Sequence, residues 1–115
     1  MSERNALNFP NNFTQAAFNI SASGISTWIA GAAGKQIKVF RMKLTVGAAT
    51  VLTIQDTASP ANVLDVLDFA SVFGMILDFT GIDMPPWYTS APGASLVFNQ
   101  TNAVQLSGNV DYLIS

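Results

Sequence analysis

Four carboxylates crowd one stretch of this 115-residue chain: Asp65, Asp68, Asp78 and Asp83. Paired carboxylates can hydrolyse glycosides, and clustered oxygens can hold calcium. Neither chemistry suits this spacing. In an extended strand Asp65 and Asp68 point to opposite faces, and no D-x-[DN]-x-[DN]-G order surrounds them. They read as charges on loops and strand edges.

Other chemistries lack their reagents. There is no His and no Cys, so imidazole bases, thiolate nucleophiles and zinc clusters are excluded. A serine nucleophile would need a Lys or carboxylate base, and no S-x-x-K spacing occurs. Gly31–Lys35 (GAAGK) is not a phosphate-binding loop, because Gln36 stands where a magnesium-binding hydroxyl belongs. It reads as a turn before a strand. The N-x-[ST] triplets at Asn12, Asn19 and Asn99 are expected by chance in Asn- and Thr-rich turns. The chain is therefore expected to be no enzyme and to carry no cofactor or metal.

Composition narrows the class further. Five basic and seven acidic residues make up about 10% of the chain, against roughly 25% in ordinary soluble domains. A net charge of −2 cannot neutralise a phosphate backbone, so nucleic acid is not an expected partner. No apolar run reaches the roughly 18 residues of a membrane-spanning helix, and MSERNALNFPNN lacks the apolar core of a secretion signal. Neither membrane nor export is expected. The positive clue is a surface poor in charge. Such a surface costs little to desolvate on association, which predicts an assembly component over a freely soluble monomer.

The elements that would carry such a surface are strands. Eight short β-branched or aromatic runs sit between Gly, Pro and Asn punctuation. They are Phe13–Ile20, Ile25–Ala30, Gln36–Val46, Thr50–Gln55, Val63–Phe69, Met75–Phe79, Ser95–Thr101 and Gly108–Ile114. Only Val63–Phe73 also admits a helical reading, through Leu64 and Leu67. In the third run Ile37 and Val39 share one parity, while Phe40, Met42, Leu44 and Val46 share the other. That phase change predicts a β-bulge or sharp bend between Val39 and Phe40, with Lys38, Arg41 and Lys43 facing solvent or a partner. The last run alternates, with Val110, Tyr112 and Ile114 on one side. The expected fold is all-β, an eight-stranded, jelly-roll-like two-sheet sandwich over residues 13–115. A partly open barrel is the alternative.

Residues 1–12 read separately, as an extended N-terminal arm. Pro10 biases Phe9 towards extended backbone, and Leu7 and Phe9 are candidate anchors on a neighbouring subunit; the alternative is a frayed terminus. The other candidate contact is Trp87–Tyr88. Pro85–Pro86 before it cannot lie in mid-sheet. The two rings could form a carbohydrate platform, seal one end of the sandwich, or pack at a subunit contact. Trp28 reads as core.

Several motifs together resemble a known family. Ala32–Val46 (AAGKQIKVFRMKLTV), followed by Gly47–Ala49 and Thr50–Ile54, looks like the opening strands of small virion β-sandwich proteins of tailed bacteriophages. Pro86–Thr89, Gly93, Leu96, Phe98–Asn99, Ala103–Val104 and Ser107–Tyr112 are similar to that family's later motifs. The resemblance covers about residues 32–115. It implies a capsid decoration, or cement, protein of the virion surface, made in the bacterial host cytoplasm. Its implied partners are itself, as a homotrimer, and the major capsid protein. The alternative function is a jelly-roll receptor-binding tip of a tail or fibre, with Trp87 and Tyr88 as its carbohydrate contacts.

Overall fold

The computed structural model describes residues 13–80 and 85–115, which form nine strands and no helix. The arm at 1–12, with Leu7 and Phe9, and Asp83 lie outside the described residues. In chain order the strands are β1 (Thr14–Ile20), β2 (Gly24–Ile29), β3 (Ile37–Val46), β4 (Thr50–Asp56) and β5 (Val63–Phe69), then β6 (Phe73–Leu77), β7 (Tyr88–Thr89), β8 (Leu96–Gln100) and β9 (Leu106–Ile114). The stretch with helical periodicity is β5, a turn at 70–72 and β6, as its β-branched content favours; Gly74 lies within β6.

One sheet has the order β1-β9-β3-β6, with β7 also paired to β3; the other has the order β2-β8-β4-β5. Every pairing is antiparallel. Among consecutive strands only β4 and β5 are hydrogen-bonded neighbours; the first and last strands lie side by side. That order is a jelly roll. The ninth strand is the two-residue β7. It occupies the start of β3 (Lys38↔Thr89, Val39↔Tyr88), while β6 occupies the far half (Met42↔Leu77 to Val46↔Phe73).

The expected break in β3 is present. Val39 lies opposite Tyr112 and Arg41 opposite Asp111, which leaves Phe40 as the extra residue. Ile37, Val39, Met42, Leu44 and Val46 all enter the core. Phe40 does not join them. It packs on Phe13, with ring centroids 5.1 Å apart, so the inward set resumes at Met42. A second bulge in β2 falls at Trp28. There the indole stacks on Phe98 at 4.3 Å, and Phe18 closes an aromatic trio between the sheets.

Buried polar groups tie the ends of the sandwich. Gln100 donates to the carbonyls of Ala22 and Val104, and its carbonyl pairs with the Thr50 hydroxyl. At the opposite end the buried Asp56 accepts from the backbone of Ala58, Asn62 and Ala91 and from the Asn62 amide. Burial alone would raise its carboxyl, but these hydrogen bonds hold it below the usual value. The bonded form is thus the ionised one, and its stabilisation is present above the unfolded value of about 3.9 and lost as pH falls through the lower folded value. Asp56→Ala strands several buried donors, and is expected to cost about 2–4 kcal/mol at neutral pH. Urea unfolding at pH 7 and below pH 4 measures this, and the gap between wild type and variant should shrink in acid.

Candidate functional site

Trp87 and Tyr88 part company in the structure. Tyr88 is only 5% exposed and belongs to the core, whereas Trp87 is 43% exposed. Their backbone explains this: β7 pairs with β3 through Tyr88, turning its ring inward, and neighbouring residues in a strand face opposite ways. The Tyr88 hydroxyl donates to Asp65 at 2.7 Å, bridging β7 in one sheet to β5 in the other. Burial, reinforced by that carboxylate, pushes the phenol well above its usual value. The pair therefore forms no two-ring platform, and Tyr88 seals the sandwich. Trp87 is held outside by its own bonds, donating from its backbone to Val39 and from its indole to the Asp78 carbonyl, both at 2.7 Å.

The carboxylates are likewise separated. Asp65 lies opposite the core residue Ile54 and faces inward, while Asp68 lies opposite Val51 and faces out. Asp78 makes a long 3.9 Å contact with Arg41 and is mostly exposed. No group of three or more potential metal ligands occurs among the described residues. Ala32–Lys35 is a hydrogen-bonded turn whose Gly34 has φ +71°, a backbone only glycine adopts freely.

The outer face of the β1-β9-β3-β6 sheet carries Lys43, Thr45 and Asn109, whose register neighbours Leu44 and Val110 point inward. At the bulge, Phe13 touches both Phe40 and the partly exposed Phe79 at 5.1 and 5.3 Å. Asp111 is buried close by, opposite Gln15 and Arg41, with one oxygen lacking a partner among the described residues.

Most of the large exposed apolar side chains among the described residues lie elsewhere. β5 ends one sheet and β6 ends the other, and the short turn 70–72 between them puts both edges on one lateral side. Val63, Val66, Val72, Phe73 and Ile76 are exposed there, Val72 by 72% and Ile76 by 60%. Two grooves flank them. One, of about 410 Å³, is lined by Val66, Leu67, Asp68, Phe69, Phe73 and Met75 among others. The second, of about 380 Å³, runs past Lys43, Thr45, Gly74 and Ile76. The sequence reading singled out none of these exposed residues. The available signal was β6 itself, FGMIL, a strand with no charge or proline to guard an edge.

Comparison with known proteins gives no match to a family model, a curated protein or a solved structure. Tyr88→Phe is expected to cost about 1–2 kcal/mol by losing the bond to Asp65, with the fold retained. Equilibrium denaturation against wild type measures the loss, and an unchanged midpoint would contradict the bridge.

Proposed function

We propose that this chain is a structural virion protein of a tailed bacteriophage, a decoration or cement protein that binds the assembled capsid as an oligomer. The observation that carries the reading is the apolar lateral side of β5 and β6, on a sandwich unusually poor in charge. Monomeric proteins guard strand edges with charge or cover, and apolar side chains left exposed along two neighbouring edge strands point to an interaction site. A jelly roll is also an architecture used in viral shells, and the motifs of residues 32–115 support that setting.

The mechanism is mass action. A protein that binds the assembled shell but not its separate subunits stabilises the shell by RT ln(1 + [L]/Kd) per site, about 2.7 kcal/mol at a hundredfold excess over Kd. Repeated over the lattice, this opposes the pressure of packed DNA without any catalytic step. The reading as a carbohydrate-binding tail tip has less support, because one of its two rings lies in the core.

Co-sedimentation separates these readings. The purified protein is expected to pellet with assembled shells, to ignore unassembled major capsid subunits, and to raise the temperature at which the shells break. Removing residues 1–12 should weaken attachment while the oligomer keeps its number of subunits. Equal binding to free subunits, or none to shells together with glycan binding lost in Trp87→Ala, would contradict the proposal.

A further inference from the structure

We infer that the β5–β6 lateral side is where copies of this chain meet, arranged head to tail around a rotation axis. The inference rests on the oligomer reading above and names the surface that builds it. Three features of the side point to a second copy as its occupant.

Charge differs across the side. On the face of the β4–β5 sheet it is bordered by Asp68, and on the face of the β3–β6 sheet by Lys43. Each of the two grooves holds one of these charges. When sandwiches converge by their lateral sides on an axis, the Lys43 face of each copy meets the Asp68 face of the next. The contact is heterologous, and it closes into a ring when the rotation allows.

Shape fits the same arrangement. Val72 stands out from the turn between the strands, and Met75 lines both grooves. The surface therefore offers both projections and recesses, as a self-associating surface requires. Neither edge strand has a further strand beside it among the described residues. Among the described residues the opposite lateral side, formed by β1 and β2, shows a single large exposed apolar residue, Ile25. Apolar surface is thus concentrated where the axis would pass.

The test is sedimentation velocity of the full chain over a wide concentration range, with circular dichroism to confirm folding. Wild type is expected to form a closed oligomer, a trimer if the ring has three members. Ile76→Asp should give a folded monomer, while Ile25→Asp on the far side should leave the mass unchanged. Asp68→Lys or Lys43→Asp alone should weaken association about three- to tenfold, and the two together should restore most of it. A folded Ile76→Asp protein that keeps the wild-type mass would overturn the lateral assignment while leaving oligomerisation intact. So would a double reversal no better than the two singles combined. A wild-type protein monomeric at every concentration would overturn the oligomer reading on which the inference rests.

Discussion

The extra residue at Phe40 sets the layout of the molecule. β3 is the strand that pairs with β9 along its length and with both β6 and β7 on its other side. Without the bulge, a chain that points Ile37 and Val39 inward would point Arg41 and Lys43 inward as well, since side chains alternate strictly. Inserting one residue restores Met42, Leu44 and Val46 to the core and keeps the cations on the outer face. Bulges also bend a strand, and here the shift coincides with the change of partner from β7 to β6. Tyr88 is carried inward on the first half, where it reaches Asp65 across the sandwich.

A second constraint acts at the surface. With so few charges, the chain cannot cover all its strand edges in the usual way. The charges it has are unevenly spent. Asp56 and Asp111 are buried, and Lys38, Arg41 and Lys43 share one strand. The β6 edge is left with none of its own. In a monomer that edge would be a site for unwanted pairing; in an assembly it is a contact that costs little to dehydrate. This is why the proposed role rests on the lateral side and not on any single aromatic residue.

Much of the fold was legible because alternation is a local signal. Eight of the nine strands, the β3 phase change and the core placement of Trp28 follow from residue order alone. What escaped was non-local. β7 is two residues long after a diproline, too short to alternate, and exists because β3 has an open flank beside it. Phe40 shares the parity of Met42, yet a bulged residue obeys its geometry and not its parity. The burial of Tyr88 depends on a carboxylate 23 residues away in the other sheet. Which strands become edges depends on the order β1-β9-β3-β6 and β2-β8-β4-β5, so residue order alone did not mark Val72, Phe73 and Ile76 as exposed. Leu7 and Phe9 lie outside the described residues.

The central claim is that this jelly roll serves as a repeated part of a shell. Its most direct test is the copy number of the chain in purified virions of the phage that the proposal implies, by quantitative mass spectrometry against the major capsid protein. The account predicts a stoichiometric ratio set by the capsid lattice, with copies in the hundreds. A handful of copies would place the protein at the tail, and its absence from the particle would contradict the account outright.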